Sequence, residues 1–305
     1  MKILSSFPQL PLEQSIVTIG MFDGVHVGHQ KIIQEVVTQA TILHCHSVVI
    51  TFSEHPQLFL THHAPEKILP CEKKLSILES LGIEYCLLLP FQEKLANTTA
   101  ESFLQMLIQQ LGMKTIVVGE NFRFGFQGKG NVSFLQEHAS KYGYNVIVIS
   151  SEIQNNICIS STNIRNMIKQ GNIKQANLML GRPFSLIGKV VPGKQRGRTL
   201  GFPTANIELA HDLMPPIGVY IGISYVNNLS YVSIISIGTC PTFKQNESLK
   251  IEIHLIDFQG DLYGTILETN LYDRIREQKV FSNAQELCSQ LHNDMALAKN
   301  YNFNC

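Results

Sequence analysis

Short runs of Val, Ile and Leu alternate with amphipathic stretches along roughly the first 150 residues. The apolar runs cover residues 15–20, 47–52, 84–89, 115–119 and 145–149. The stretches between them, which repeat apolar residues at helical spacing, cover residues 30–41, 72–81, 100–111 and 132–142. This alternation predicts parallel strands joined by crossover helices, as in a doubly wound α/β sheet.

The pattern changes after two further helical segments, residues 161–170 and 173–180. The later runs, which are β-branched or alternate with polar residues, cover residues 184–191, 219–225, 231–237 and 251–257. Because Gly, Pro and Asn separate them and leave little room for crossover helices, they predict an antiparallel β-barrel. A last helix at 283–298 is expected to pack on the outside of the barrel. The predicted domains are therefore residues 1–181 and 182–305.

Composition narrows the class of protein. A chain of 305 residues is long enough for two domains, each with its own core. Lys plus Arg and Asp plus Glu both number 24, so no net charge attracts nucleic acid. The seven cysteines form no Cys-x-x-Cys pair, which predicts reduced thiols and a cytoplasmic location. No apolar run approaches the roughly 18 residues of a membrane span, and no obligate protein partner is indicated.

The clearest candidate for chemistry is the turn that follows the first apolar run. Gly24 and Gly28 allow the backbone to approach a ligand, and a helix that begins near Gly28 directs its first N–H groups at the turn. His26 and His29 can donate hydrogen bonds to phosphate oxygens as charge develops during transfer. A zinc site and a purely structural turn are the alternatives, although no further residue at zinc-ligand spacing lies nearby.

Two later segments extend this candidate phosphate site. Residues 119–125 follow another strand directly, so they belong at the same sheet edge as the histidine turn. Ser161, Thr162 and Arg165 stand at the start of a helix, where hydroxyls, N–H groups and a guanidinium can bind anions. An ordinary helix N-cap is the alternative for this segment. Together with the histidine turn, it would hold an ATP triphosphate from opposite ends.

The second domain carries a basic glycine loop, residues 193–198, that suits phosphate binding through Gly193 and Lys194. Thr204 and Asn206 follow this loop and stand two residues apart. On a strand they face the same way and could share a magnesium ion that also takes phosphate and water oxygens. A solvated basic hairpin is the alternative.

Residues 249–255 alternate between apolar and polar side chains. This alternation puts Glu252 and His254 on one face, away from Ile251 and Ile253. If the polar face looks into the barrel, Glu252 can serve as the general base that a hydroxyl needs before it attacks a γ-phosphate. An ordinary solvent-facing carboxylate is the alternative.

The motifs, taken in order, closely resemble the bifunctional bacterial riboflavin kinase/FMN adenylyltransferase family, also called FAD synthetase. They are residues 20–29, Thr51-Phe52 with His55-Pro56, and residues 118–125, 159–165 and 201–206. The resemblance covers nearly the whole chain. It implies an α/β nucleotidyltransferase domain that makes FAD from FMN and ATP, followed by a six-stranded antiparallel β-barrel domain, with a C-terminal helix, that phosphorylates riboflavin.

The resemblance also implies roles for residues that match the motifs. In the first domain the implied ATP contacts are His26, His29, Asn121, Ser161, Thr162 and Arg165. In the barrel, Thr204 and Asn206 resemble the family's magnesium and nucleotide contacts. Glu252 resembles its catalytic base for the flavin 5′-hydroxyl. The implied cofactors and substrates are Mg²⁺, ATP, riboflavin, FMN and FAD.

Two segments depart from the family's pattern. Glu54 stands where proline is expected, and in residues 236–243 Ser236 and Cys240 stand where asparagine and arginine are expected. Cys240 bears on substrate binding by the kinase domain. Two alternatives therefore stay open: a nucleotidyltransferase that acts on another phosphorylated alcohol, and a flavin-binding regulatory protein with a weak kinase. A nucleic-acid-binding module is a third, against which the neutral net charge counts.

Overall fold

The computed structural model describes residues 1–154, 157–193, 197, 200–210, 212–240 and 248–303, without the side chains of Cys240 and Ser248. The chain forms two compact units. The first comprises Met1–Pro65 and Cys71–Ser160, and the second comprises Glu66–Pro70 and Ser161–Cys305. Across the described ranges, no helix combines the length and the hydropathy needed to cross a membrane.

A parallel sheet forms the centre of the first unit. The strands of this unit are Lys2–Leu4 (β1), Ser15–Ile19 (β2), His46–Phe52 (β3), Tyr85–Leu89 (β4), Met113–Gly119 (β5), Arg123–Phe124 (β6), Gly130–Asn131 (β7), Asn145–Ile149 (β8), Ile153–Gln154 (β9) and Ile157–Cys158 (β10). Six of them form a wholly parallel sheet in the order β1-β4-β3-β2-β5-β8. The other two pairs, β6 with β7 and β9 with β10, form short antiparallel ladders.

Helices cover both faces of this sheet. They are Val27–Leu43 (α1), Pro56–Thr61 (α2), Cys71–Ser80 (α3), Glu93–Ala96 (α4), Ala100–Leu111 (α5) and Val132–Tyr142 (α6). Leu104 of α5 packs in one core cluster with Val17, and Ile33 of α1 packs in another with Ile16. Since Ile16 and Val17 are consecutive in β2, their side chains point to opposite faces. The predicted doubly wound arrangement is confirmed.

The second unit contains a closed antiparallel barrel, together with helices on either side of it in the chain. Its strands are Phe184–Val191 (β11), Ala205–Leu209 (β12), Gly218–Val226 (β13), Leu229–Cys240 (β14), Ser248–Leu255 (β15) and Ile266–Arg276 (β16), and its helices are Ser161–Lys169 (α7), Ile173–Leu180 (α8) and Ala284–Lys299 (α9). The barrel closes in the order β11-β12-β15-β14-β13-β16. The hydrophobic pattern alone did not predict β12 or β16, although the family resemblance implied six strands.

Helix α8 is joined to the barrel through Asn177. The Asn177 Nδ2 donates to the carbonyl of Leu271 on β16, and its Oδ1 accepts from the N–H of Phe184 on β11, both at 2.8 Å. These bonds are buried, so they tie α8 to two barrel strands. The compact units accordingly part at Ser160. The domain division after residue 181 stays a prediction.

Helix α9 packs outside the barrel, as predicted, and a buried ion pair fixes it there. Ala298 of α9 packs with Val219 and Ile234 of the barrel strands. Arg276 at the end of β16 donates from Nε and Nη2 to the carboxylate of Asp294 at 2.7–3.1 Å. The Asp294 side chain is fully buried, so this pair is shielded from water.

The described cysteines agree with the expectation of reduced thiols. Among the residues that the structure describes, Cys45, Cys71, Cys86 and Cys288 carry thiols rather than disulfides. Burial raises the pKa of the Cys86 thiol to about 11. At neutral pH this thiol is therefore protonated and is not a nucleophile.

Replacement of Asp294 by Ala should lower the free energy of unfolding of the barrel unit by about 3 kcal/mol or more, because it leaves the Arg276 guanidinium buried without its carboxylate. Urea unfolding of the full chain, followed by circular dichroism, measures the change. Asp257→Asn is the matched control, since the pair of Asp257 with Lys299 is solvent-exposed and contributes little, and asparagine tolerates the positive φ of 62° at this position. Equal destabilisation by both variants would contradict the prediction.

Candidate active sites

The histidine turn is held together by its own side chains. His26 is the N-cap of α1, and its Nδ1 accepts a hydrogen bond from the backbone N–H of His29 at 3.3 Å. The two imidazole rings stack with centroids 3.6 Å apart. A Cβ at Gly28 would lie 3.3 Å from the His26 ring, so a larger residue there would crowd the imidazole. The helix begins at Val27, close to the predicted start.

The hydrogen bond to Nδ1 determines where His26 carries its proton. An imidazole nitrogen that accepts a hydrogen bond is unprotonated, so the neutral ring of His26 bears its proton on Nε2. Its Nε2 is therefore a hydrogen-bond donor. The His26 side chain is buried, only 6% exposed, and a donor in such surroundings interacts strongly with an anion.

Left-handed backbone conformations occur in the same turn. Phe22 has φ of 49° and Val25 has φ of 37°, while the glycine between them, Gly24, has φ of 78°. A β-branched residue at positive φ is rare, because its side chain clashes with its own backbone. The N–H of Val25 donates to the carbonyl of Phe22 at 3.1 Å and closes the turn. The surrounding structure must hold this strained conformation in place.

Asn121 lies at the same sheet edge as the histidine turn. Strands β2 and β5 are parallel neighbours, so their carboxyl ends emerge together. The histidine turn follows β2, and Asn121 stands exposed in the turn after β5, where the N–H of Phe122 donates to the carbonyl of Gly119 at 3.1 Å. The sequence predicted this shared edge from the order of strands and helices.

Ser161, Thr162 and Arg165 form a separate group on α7, in the second compact unit. The Arg165 side chain is buried, and its Nε donates to the backbone carbonyl of Glu66 at 2.7 Å. One turn further on, Lys169 forms an ion pair with the Glu66 carboxylate. The arginine thus fixes the segment Glu66–Pro70 against α7. Its role toward a triphosphate stays a prediction.

In the barrel, three polar residues form a row across neighbouring strands. Glu252 of β15 is directly opposite Asn206 of β12 on one side and Ser236 of β14 on the other. Directly opposed residues in antiparallel strands project to the same face, with Cβ atoms about 5 Å apart. All three side chains are half-buried. The barrel therefore places the predicted base beside the predicted metal ligand Asn206.

This row faces away from the barrel interior. From the sequence, Glu252 is a candidate base if its side chain points into the barrel, and the structure does not meet that condition. Ile251 and Ile253, on either side of it, are 3% and 1% exposed and fill the interior. The face of Glu252 is also that of Ile234, which packs with Ala298 of α9. Glu252 can still meet a substrate there, but that substrate must bind on the outer surface of the barrel.

Two described glycines of the basic segment, Gly193 and Gly197, lie near the same row. A Cβ at Gly193 would overlap the side-chain amide of Asn206, so only glycine fits against it. The carbonyl of Gly197 accepts from the N–H groups of Leu200 and Phe202 at 3.1 and 2.8 Å. Lys194 lies outside the described residues. These two described glycines thus lie close to Asn206 and Thr204, respectively.

A cavity of about 720 Å³ lies beside the turn that contains Thr204. Its walls are Thr204, Ala205, Ile253 and Leu255, together with the segment 258–263. Ala205 and Ile253 are directly opposed and point inward, whereas Asn206 and Glu252 form the next pair and point outward. The three residues from Thr204 to Asn206 therefore connect the cavity to the outer row.

Sequence reasoning gave no role to two residues that support these sites. His254 is buried, and its Nδ1 donates to the carbonyl of Pro203 at 2.8 Å, which fixes the turn before Thr204. Lys74 is buried beneath the histidine turn and donates to the carbonyl of Met21 at 3.2 Å. A signal for Lys74 was present, because it stands four residues before the buried Leu78 on the inward stripe of a helix.

Comparison with known proteins assigns both units. A family model described as FAD synthetase matches residues 9–163, and one described as riboflavin kinase matches residues 180–302. A bifunctional riboflavin kinase/FMN adenylyltransferase of Buchnera aphidicola from Acyrthosiphon pisum is 38% identical over 291 residues, which cover 94% of this chain and 93% of that protein. The protein of the same name from Escherichia coli K12 is 33% identical over 301 residues, covering 98% and 96%.

A solved structure also matches nearly the whole chain. It is described as a macrolide-efflux protein from Streptococcus pneumoniae and has a TM-score of 0.90 at 32% identity. The match covers 98% of this chain and 99% of that one.

The protonation of His26 can be measured directly. Long-range ¹H–¹⁵N correlation spectra of ¹⁵N-histidine-labelled protein at pH 8 should show an unprotonated Nδ1 and a protonated Nε2 for His26, since Nδ1 accepts from the His29 N–H. Loss of the signals in His26→Gln assigns them. A proton on Nδ1 would contradict the proposed donor at Nε2.

Proposed function

Because this chain belongs to the bifunctional riboflavin kinase/FMN adenylyltransferase family, we propose that each of its two sites catalyses one step of flavin cofactor synthesis. The chain carries both enzymatic domains of the family and is an enzyme that makes FMN and FAD. The assignment rests on which part of the chain each of the two family models matches. The FAD synthetase match contains the histidine turn, and the riboflavin kinase match contains the barrel row with Glu252.

In the kinase step, Glu252 accepts the proton of the riboflavin 5′-hydroxyl. The oxygen then attacks the γ-phosphorus of ATP, the bond to the β–γ bridging oxygen breaks, and ADP leaves. The cavity beside Thr204 has the volume for a mononucleotide, and the outer face holds the carboxylate. The phosphoryl group would therefore pass from the nucleotide in the cavity to the hydroxyl on the outer face at the turn from Thr204 to Asn206.

The donors around this turn fit a magnesium ion. Thr204 offers a hydroxyl oxygen and Asn206 an amide oxygen, the kind of hard ligand that Mg²⁺ takes together with phosphate and water oxygens. Within the described part of the chain, no group of three His, Cys, Asp or Glu side chains is arranged to hold a metal. The ion would neutralise charge on the ATP phosphates when bound. Gly193 leaves the space that the Asn206 amide occupies.

In the adenylyltransferase step, a phosphate oxygen of FMN attacks the α-phosphorus of ATP and pyrophosphate leaves. His26 donates from Nε2 to the phosphate oxygens, and the stacked His29 adds a second ring at the same place. Asn121 contacts the nucleotide or flavin from the neighbouring strand end. Ser161, Thr162 and Arg165 are proposed to bind the phosphate tail. This direct transfer needs positioning and charge neutralisation rather than a protein nucleophile.

The remaining alternative is a flavin-binding protein with a weak kinase, which the departures at Glu54 and Cys240 favour. Glu54 is exposed between β3 and α2, and the Cys240 side chain lies outside the described residues. Chromatography of riboflavin, ATP and magnesium with the enzyme separates the two possibilities. FMN followed by FAD supports both activities, whereas FAD that forms only from supplied FMN supports the weak kinase.

The described thiols are consistent with the proposed cytoplasmic location.

Replacement of Glu252 by Gln should slow FMN formation by about 100-fold or more, because the amide cannot accept the hydroxyl proton. FAD formation from supplied FMN should persist, since the residues proposed for it lie in the histidine turn and on α7 rather than in the barrel row. The matched control is Glu208→Gln on the neighbouring strand, where the carboxylate is exposed. Both rates are measured by chromatography of the flavins. Equal loss of both activities would refute separate sites.

Replacement of His26 by Ala should give the opposite result. FAD formation from supplied FMN should fall about 100-fold or more, the loss that follows removal of a preorganised donor to a transition-state charge. FMN formation should be unchanged. His46→Ala is the control, since His46 lies at the start of β3 and pairs with Glu84 there. A full adenylyltransferase rate in His26→Ala would remove the histidine turn from the mechanism.

A further inference from the structure

Lys74 is a buried lysine of the first unit, and neither of the two proposed reactions gives it a role. It stands near the start of α3 (Cys71–Ser80), and only 6% of it is exposed. Its Nζ donates to the carbonyl of Met21 at 3.2 Å, the hydroxyl of Thr51 at 3.0 Å and the carbonyl of Phe52 at 3.1 Å. These three acceptors match the three N–H donors of an ammonium group.

The three acceptors belong to two strand ends. Met21 follows β2 by two residues, and Thr51 and Phe52 are the last residues of β3, its parallel neighbour. The Thr51 hydroxyl also donates to the carbonyl of Met21 at 3.1 Å. The ammonium therefore joins the carboxyl ends of both strands in one closed network, directly before the chain enters the histidine turn.

A lysine at this position carries an energetic cost. Removal of an ammonium from water is unfavourable unless its donors are satisfied, and the first turn of a helix lies at the positive end of its dipole. An apolar side chain of the same length would avoid both costs. It would, however, leave the carbonyls of Met21 and Phe52 without this donor.

The position of Met21 explains what the network accomplishes. Met21 immediately precedes Phe22, whose φ is 49°, and Val25 with φ of 37° follows in the same turn. Residues in such conformations persist only where the structure around them holds them. The turn ends at His26, so a shift of the Met21 carbonyl would move the imidazole that is proposed to bind phosphate.

We propose that Lys74 is a positioning residue for adenylyl transfer, which holds the strained turn and thereby places His26 and His29. The inference rests on the proposed role of the two histidines. Lys74 acts through backbone and touches neither substrate. Its bond to Phe52 also fixes the start of the segment from Ser53 to Pro56, so one ammonium orients two loops at the same sheet edge.

The test compares Lys74→Met, which keeps the length of the side chain and removes the ammonium, with Lys141→Met in the full-length enzyme. Lys141 is an exposed lysine of the same unit that pairs with Glu101. The expected result for Lys74→Met is a fall of about 10- to 100-fold in kcat for FAD formation, because a small misplacement of a catalytic group costs this much. KM for ATP and FMN should change by less than about threefold. The riboflavin kinase activity of the same chain should match the wild type.

Chemical rescue separates positioning from loss of structure. In Lys74→Ala, propylammonium can enter the space left by the side chain and donate to the same three oxygens, so it should restore part of kcat. Tetramethylammonium carries the same charge without an N–H donor and should restore nothing. Rescue by both cations alike would overturn the hydrogen-bond network as the cause.

A wild-type kcat in folded Lys74→Met overturns the proposal. If that variant does not fold, Thr51→Val and Thr51→Ser test the same network, since only the serine keeps the hydroxyl that joins Lys74 to Met21. A lower kcat in the valine variant alone supports the proposal, and equal wild-type rates overturn it. If His26→Ala keeps full adenylyltransferase activity, the proposed function itself fails, whatever the Lys74 variants do.

Discussion

The carboxyl edge of the parallel sheet is the constraint on which the first unit depends. Each strand that ends there leaves carbonyl groups that need donors, and each following turn must direct its own groups at a ligand. The ends of β2 and β3 meet this requirement through Thr51 and the buried ammonium of Lys74. With that backbone fixed, the strained turn can present His26 as a helix cap whose Nε2 carries the proton.

The barrel depends on a different constraint: along each strand, successive side chains alternate between the interior and the outer face. Ile251 and Ile253 fill the interior, while Glu252 between them projects outward beside Asn206 and Ser236. The turn at Thr204 lies where the cavity and the outer row meet. A strand can therefore line the proposed nucleotide cavity with one face and the proposed acceptor site with the other. Helix α9, held by the ion pair of Arg276 with Asp294, covers part of the outer face.

Local pattern predicted the regular elements well and the edges of the fold less well. The predicted bounds of α5, α6 and β11 are those of the structure, because each has a clear period and a clear stop. Strand β1 has only three residues, too few for a period. Strand β16 alternates in burial, but it buries the polar Thr269 between Leu267 and Leu271 and exposes the apolar Ile266, so its hydrophobic pattern is obscured. Thr269 can be buried because its hydroxyl bonds to Ser224 inside the barrel.

The sequence by itself determined the two-part organisation, the crossover pattern and the motifs that carry phosphate chemistry, since all of these depend on residues near one another along the chain. Only the tertiary structure decided which face of β15 points outward, because barrel closure brings β12 and β14 to either side of Glu252. It likewise decided that Lys74 lies beneath the histidine turn. Such contacts join residues about 50 positions apart, and no local period encodes them.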